Sequence, residues 1–157
     1  MKLKKYFLSA LFLVAACAQA TPSQDEQHIL KAINHFRMTH LLMPLKFDEH
    51  LNKIAMQHSQ NMAKHHIPVG HQGFDQRFKT IRLQIDNVAQ AAENVASGFR
   101  NVDMVIDGWI HSPGHRQNIL GSYQLTGIAI AYDQQHKPYY TQVFAKQLKL
   151  RRGIHLA

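Results

Sequence analysis

Two strand-like segments near the end of the chain limit the folds that it can adopt. Residues 124–132 (QLTGIAIAY) and 138–148 (PYYTQVFAKQL) are rich in β-branched, aromatic and small apolar residues, a composition typical of strands. The polar residues 133–137 (DQQHK) between them predict a hairpin turn. A small antiparallel sheet of this kind needs other elements to cover it.

The residues before the hairpin show helical spacing. Ser23 and Glu26 form a capping-box pattern, which predicts a first helix that runs to about Thr39. Its apolar residues recur every three or four positions: Ile29, Leu30, Ile33 and Phe36. Asp48 can cap a second helix, after an apolar connection over 41–47.

Three further elements follow the second helix. The spacing predicts a short helix over 74–83, a strand over 88–96 and another helix over 102–110. Helices that precede a terminal hairpin indicate an α+β domain with helices packed on a small sheet.

The first twenty residues are predicted to be a signal peptide. A basic start is followed by an apolar run over 6–16, too short to span a bilayer, and by an Ala-x-Ala cleavage pattern at 18–20. We therefore expect residues 21–157 to form one exported domain, secreted, periplasmic or at the cell surface, with no transmembrane helix.

Residues 14–17 (VAAC) allow an alternative export route. They resemble a bacterial lipoprotein signal, in which Cys17 would be acylated and would anchor the chain to a membrane. Cys17 is also the only cysteine. If it leaves with the signal peptide, the mature domain depends on its hydrophobic core alone, without disulfides.

The positive net charge of the chain predicts attraction to anionic cell-surface polymers and does not indicate nucleic-acid binding. The formal net charge is +8, and +5 remains once the three lysines of the signal peptide are removed. The excess is spread along the chain, apart from a basic tail made of Lys146, Lys149, Arg151 and Arg152. This predicts weak attraction to anionic cell-surface polymers or lipids, and no nucleic-acid groove.

The segment HSPGHRQNIL (111–120) predicts a helix that restarts after a break. Ser112 can be the N-cap and Pro113 the first helical residue, with His115 at the position whose backbone N–H the Ser112 hydroxyl would accept. The spacing of His111 and His115 is that of zinc proteases with an HExxH motif. That motif needs an unbroken helix and a glutamate, whereas this chain has serine and proline there.

Four segments in order resemble the CAP superfamily, named for cysteine-rich secretory proteins, antigen 5 and pathogenesis-related 1. They are residues 33–63, GHQGFDQRF (70–78), AENVASG (92–98) and WIHSPGHRQNIL (109–120). The bacterial branch of the family is the most similar, and the resemblance covers about Glu26 to Ala145. It implies a three-layer α-β-α sandwich.

The resemblance also implies a cleft lined by His71, Glu93 and His115. The second acid of the eukaryotic pattern is missing, because residues 110–112 are Ile, His and Ser. Two imidazoles, His71 and His115, with one carboxylate could hold a divalent cation such as zinc. The other interpretation is a hydrogen-bonded trio in which Glu93 stabilises the fold and no metal is bound.

Besides an envelope protein whose cleft is vestigial, two functions stay open at this stage. The first is a binding or interaction module at or outside the cell surface whose ligand is unknown; lipid binding is known in several members of the family, so the resemblance makes a lipid or a cell-surface component one candidate. The second is a metal-dependent hydrolase in which Glu93 is the base and a cation activates water. No nucleophilic serine or cysteine motif supports covalent catalysis.

Overall fold

A computed structural model describes residues 21–148, which form five helices and four strands. The predicted signal peptide with Cys17, and residues 149–157 of the basic tail, lie outside the described residues. In chain order the elements are α1 (Gln24–Thr39), β1 (Lys46–Phe47), α2 (Glu49–Ala63), α3 (Phe74–Gln84), β2 (Val88–Ser97), α4 (Val102–His111), α5 (Pro113–Ile119), β3 (Leu125–Tyr132) and β4 (Pro138–Gln147).

The four strands form one mixed sheet in the order β1-β3-β4-β2. The predicted hairpin joins β3 to β4, and β4 also pairs antiparallel with β2. The expected antiparallel sheet is formed by β2, β4 and β3, and the two-residue strand β1 adds a parallel pairing with the start of β3. Residues 46 and 47 were expected in a connection, since two residues carry no strand periodicity of their own.

The helices cover both faces of the sheet, which confirms the three-layer α-β-α sandwich. Alternate residues of β3 point to opposite faces. Ile128 and Ile130 pack with α1, α4 and α5, whereas Ala129 packs with α2 and α3. The backbone of α2 lies so close to the sheet that a Cβ at Gly127 would collide with main-chain atoms of Leu51 and Asn52.

The predicted caps of α1 and α2 are confirmed. The backbone N–H of Glu26 donates to Ser23 Oγ at 3.2 Å, and the backbone N–H of Ser23 donates to Glu26 Oε2 at 2.8 Å. The other oxygen of Glu26 accepts a hydrogen bond from the backbone N–H of Ile130 at 3.1 Å. The capping box therefore also fixes α1 to the sheet. At α2, the backbone N–H of Leu51 donates to Asp48 Oδ1 at 3.0 Å.

The helix restart after Ser112 is confirmed, but the predicted serine cap is wrong. Pro113 is the first residue of α5, and the Ser112 side chain makes no capping hydrogen bond. Ser112 joins α4 directly to α5. Its N–H donates to Gly108 O at 3.1 Å, and its carbonyl accepts from the N–H of Arg116 at 2.8 Å. Backbone bonds of two helices thus hold the junction without the hydroxyl.

Within residues 21–148, each helix is too short or too polar to cross a membrane.

Candidate functional site

The candidate site is built around β2, the strand at the edge of the sheet. Successive strand residues point to opposite faces. Glu93 pairs in register with Val143, whose side chain packs with α2 and α3. Its neighbour Asn94 contacts α5 on the other face. The two sides of β2 therefore carry different polar groups.

On the first side, Glu93 is a buried carboxylate held by Arg77 and His71. Arg77 Nε donates to Glu93 Oε2 and Arg77 Nη2 donates to Glu93 Oε1, both at 2.7 Å. His71 Nδ1 donates to Glu93 Oε1 at 3.0 Å. The Glu93 side chain is 1% exposed and that of His71 is 56% exposed. A bidentate pair of this kind compensates the burial of both charges.

His58 completes this cluster from the buried face of α2. Its Nε2–H donates to the carbonyl of Gly70 at 2.8 Å and lies 3.6 Å from Glu93 Oε1. Burial lowers the pKa of His58, and the charge of Glu93 opposes that shift while Arg77 adds to it. The imidazole is therefore favoured in its neutral form.

Sequence analysis missed the roles of His58 and Arg77. His58 falls on the apolar stripe of α2, between Ala55 and Met62. A histidine on a stripe of that kind signals a buried polar contact. Arg77 lies inside the GHQGFDQRF segment that carries the resemblance, but nothing in the sequence pairs it with Glu93, which is on another element.

On the second side of β2, His115 is at the first turn of α5, and its Nδ1 is buried without a hydrogen-bond partner. Burial lowers the pKa of His115, the nearby His71 lowers it further, and the backbone of Val95 opposes the shift. Among the described residues, no hydrogen bond joins His115 to Glu93.

Trp109 lies beside His115, with the ring centroids 6.4 Å apart. It is 1% exposed, in the core between the sheet and α4, and its Nε1 is also buried without a partner. Buried polar atoms are almost always hydrogen-bonded in proteins. A donor and a ring nitrogen without partners in one place therefore mark a location where another molecule can supply the missing bonds.

Two asparagines hold α5 against β2. Asn94 Nδ2 donates to the carbonyl of His115 at 3.2 Å. Asn118 Nδ2 donates to Glu93 O at 3.2 Å and to Asn94 Oδ1 at 2.9 Å. Both residues bond mainly to backbone groups, and they fix the start of α5 relative to Glu93.

A cavity of about 410 Å³ lies between α2 and α3. His58 and Arg77 line it, together with Ile54, Gln57, Asn61, Ile67, Gln72, Gly73, Gln76 and Thr80. Its volume falls within the usual range of small-molecule sites, roughly 300–1,000 Å³. The cavity thus adjoins Arg77, which holds Glu93, and His58, which lies 3.6 Å from it.

A three-ligand zinc site made of both histidines and Glu93 does not fit this arrangement. Glu93 Oε1 already accepts hydrogen bonds from Arg77 and His71, Oε2 accepts one from Arg77, and the side chain is 1% exposed, so little of the carboxylate remains for a cation. Within residues 21–148, no group of three or more His, Cys, Asp or Glu is placed to hold a metal ion. The groups left for a cation are the imidazoles of His71, through Nε2, and His115.

Known proteins with similar sequences come from Bacillus subtilis. The uncharacterized protein YkwD is 30% identical over 134 residues, which is 82% of this chain and 50% of YkwD. The uncharacterized membrane protein YlbC is 29% identical over 127 residues, which is 78% of this chain and 35% of YlbC. The chain therefore spans half or less of the length of these curated relatives.

Solved structures share the fold. An outer surface protein from Borrelia burgdorferi superposes with a TM-score of 0.71 at 19% identity, covering 80% of this chain and 94% of that one. An extracellular SCP-domain protein from Bacillus anthracis gives a TM-score of 0.65 at 24% identity, covering 78% of this chain and 40% of that one.

The sequence profile of the cysteine-rich secretory protein family, CAP, matches residues 30–144. This range runs from the first turns of α1 to Phe144 in β4 and includes His71, Glu93 and His115. The chain belongs to the CAP family.

Proposed function

We propose that this chain is an exported CAP-domain protein that binds a ligand at or outside the cell surface, through the cleft of His71, Glu93 and His115. The observation that carries the proposal is the unpartnered pair beside β2, His115 Nδ1 and Trp109 Nε1. Leaving such atoms buried without partners costs stability. A ligand that hydrogen-bonds to them would recover that cost on binding.

Export is supported by the signal-peptide pattern over residues 1–20. Similar solved structures come from proteins described as outer-surface and extracellular, and one relative is described as a membrane protein. Free secretion after cleavage before Thr21 and anchoring through an acylated Cys17 both agree with this. Mass spectrometry of the exported chain should find one of those two N-termini, and an exported chain that retains Met1 would contradict both.

The contacts of Glu93 favour binding over the hydrolase alternative. A general base needs a lone pair that can reach a proton. Both carboxylate oxygens of Glu93 instead accept hydrogen bonds from Arg77, and one also accepts from His71. In this proposal Glu93 orients His71 and joins the layers, while the open side of the cleft makes the ligand contacts.

The free groups of the cleft indicate the kind of ligand. The imidazole of His115 is favoured in its neutral form by burial, which lowers its pKa, and the indole N–H of Trp109 is a donor without charge. Uncharged polar groups such as hydroxyls or amides of a cell-surface component match these atoms. A divalent cation bound by His71 and His115 stays a prediction, and it would have two protein ligands.

Calorimetry on the chain from Thr21 onward tests the proposal. The probes are zinc chloride, soluble muropeptides and a short-chain phospholipid, each titrated into wild type, His115→Leu and His111→Leu. His111 serves as the matched control, because its side chain is 72% exposed and contacts Asp107 on the surface. We expect at least one probe to bind wild type and His111→Leu but not His115→Leu.

Equal binding to all three proteins would overturn the cleft as the site, as would no binding by any probe. If zinc is the probe that binds, its affinity should fall on acidification, since metal binding needs neutral imidazoles. If the zinc affinity does not change with pH, His71 and His115 are excluded as the zinc ligands.

A further inference from the structure

The cavity between α2 and α3 has a buried floor and an exposed mouth. Ile54 and His58 are buried and form the floor, next to the half-buried Ile67. The exposed residues of the lining include three glutamines, at positions 57, 72 and 76. A ligand that enters from solvent would therefore pass carboxamides before it reaches apolar side chains.

The lining of this cavity carries no charge that is free for a ligand. Arg77 is the one Lys, Arg, Asp or Glu among the lining residues. Its Nε and Nη2 donate to the carboxylate of Glu93, and its Nη1 donates to the carbonyl of Gln72 at 2.9 Å. The lowered pKa of His58 keeps that imidazole neutral. A charged ligand would lose its hydration here without gaining a counter-charge, so the cavity favours a neutral one.

His58 contributes a hydrogen-bond acceptor at the floor. Its side chain is 1% exposed, and its Nε2–H donates to the carbonyl of Gly70 at 2.8 Å. In a neutral imidazole the second nitrogen is then an acceptor. That nitrogen, Nδ1, is buried without a partner, although buried polar atoms are almost always hydrogen-bonded. A ligand that satisfies it must bring an N–H or O–H donor.

Four carboxamides line the cavity, those of Gln57, Asn61, Gln72 and Gln76. Each carboxamide presents an acceptor and two donors in one plane. Gln57 Nε2 donates to Asn61 Oδ1 at 3.1 Å, which holds these two side chains side by side on α2. The bond leaves Gln57 Oε1 and Asn61 Nδ2 for other partners, and this pairing of an acceptor with a donor is the complement of an amide group.

The same lining disfavours other neutral ligands. An acyl chain in the cavity would cover the carboxamides without replacing their hydrogen bonds to water, which is costly. Phe, Tyr and Trp do not occur among the ten residues that line it, so a bare sugar or an aromatic ring would have no aromatic side chain on which to stack. Small alkyl groups remain suitable partners for Ile54 and Ile67.

We propose that the cavity between α2 and α3 binds a small neutral ligand through a secondary amide that carries a short alkyl group. The amide N–H would donate to His58 Nδ1, the amide carbonyl would accept from Asn61 Nδ2, and the alkyl group would contact Ile54 and Ile67. The acetamido group of an amino sugar and the alanyl bond of a peptide both have this chemistry. The proposal does not depend on the function of the cleft, because His115 and Trp109 lie on the other side of β2.

An NMR titration of the chain from Thr21 to Ala157 tests this proposal. The probes are N-acetylglucosamine, N-acetylalanine N-methylamide and, as a control without an amide, glucose. At least one amide probe should move the side-chain NH₂ signals of Asn61 and the ring ¹⁵N signals of His58 saturably, and glucose should not. A response to the sugar alone or to the peptide alone identifies the source of the amide. No saturable shift with either amide probe, or an equal shift with glucose, would overturn the proposal.

Substitutions locate the binding site. Asn61→Leu and Gln76→Leu should each weaken the affinity about fivefold, as expected for the loss of one hydrogen bond. Gln84→Leu, on an exposed residue of α3 outside the lining, and His115→Leu should leave it unchanged. An affinity that neither cavity variant reduces would overturn the proposal. A loss in His115→Leu with full binding by Asn61→Leu would place the ligand in the cleft and would also overturn it.

The two sites can be measured separately even with a larger ligand. A muropeptide carries both acetamido groups and alanyl peptide bonds, so it offers the proposed amide to the cavity as well as polar groups to the cleft. Calorimetry of muropeptides with Asn61→Leu then reports on the cleft, and calorimetry with His115→Leu reports on the cavity. Failure at one site is therefore distinguishable from failure at the other.

Discussion

The two sides of β2 treat their polar groups in opposite ways. On the α2–α3 side, the buried carboxylate of Glu93 accepts hydrogen bonds from Arg77 and His71 at 2.7–3.0 Å. On the α5 side, His115 Nδ1 and Trp109 Nε1 are buried without partners. One residue along a strand thus separates a carboxylate whose two oxygens are hydrogen-bonded from two ring nitrogens without partners; on the carboxylate side, His58 Nδ1 is the one buried atom of the cluster that also lacks a partner.

The difference suggests that the two sides of β2 have different roles. A satisfied buried ion pair holds elements in place, and removing one partner is strongly destabilising. An unsatisfied pair lowers stability and is retained where function needs it. We therefore expect substitutions on the Glu93 side to change mainly stability, and substitutions on the His115 side to change mainly binding.

The largest expected effect is that of Arg77→Ala. This change leaves the Glu93 carboxylate, which is 1% exposed, without its bidentate partner. The free energy of unfolding should fall by about 3 kcal/mol, as measured by urea denaturation. Arg82→Ala is the matched control, because Arg82 is exposed on the same helix; equal losses in the two variants would remove the structural role of the ion pair.

Acidification should destabilise the protein, because burial lowers the pKa values of both His58 and His115 in the folded state. The unfolded chain then binds more protons below about pH 6.5, the ordinary pKa of histidine. The free energy of unfolding should therefore fall between about pH 6.5 and 5, before most carboxylates titrate.

His58→Gln should reduce that slope while keeping a side-chain donor for the carbonyl of Gly70. Unfolding free energies measured across this pH range on wild type and on the variant provide the check. A slope of the opposite sign in wild type would contradict the buried neutral state of these histidines.

His115→Leu should change stability by less than about 1 kcal/mol, in contrast to Arg77→Ala. The leucine loses no hydrogen bond at Nδ1, and it removes an unsatisfied polar atom from a buried position. Thermal and urea unfolding measure the effect. A loss comparable to that of Arg77→Ala would show that the two sides of β2 are equally structural.

Much of the fold could be predicted from the sequence because its signals are local. The capping box at Ser23 and Glu26, the Asp48 cap and the β3–β4 hairpin all depend on residues a few positions apart. The parallel pairing of β1 with β3 could not be predicted in this way, because residues 46 and 125 are far apart in the sequence and meet only in the folded chain.

The site could also be predicted only in part, because several of its contacts join residues that are distant in the sequence. Family resemblance supplied His71, Glu93 and His115 as cleft residues, and their binding role stays a prediction. It gave no means of finding Arg77, which lies 16 positions from Glu93 and reaches it only in the folded chain. His58 was visible as a polar residue on an apolar stripe, but its partner, the carbonyl of Gly70, is in a loop that carries no regular pattern.

The smallest expected effect is that of Ser112→Ala. A capping serine is worth about 1 kcal/mol, but this hydroxyl makes no capping bond. The unfolding free energy should change by less than about 0.5 kcal/mol, as is usual for positions without such contacts. A loss near 1 kcal/mol in urea denaturation would restore the capping role.

The most direct test of the central claim is the indole N–H resonance of Trp109, which is the only tryptophan of the chain. A two-dimensional ¹H–¹⁵N spectrum of wild type, recorded while the probe that binds in calorimetry is added, reports on this single donor. The account predicts that the resonance moves saturably, with the calorimetric affinity, as the N–H gains a partner. A resonance that stays fixed at saturation would place the ligand elsewhere and contradict a binding role for the His115 side of β2.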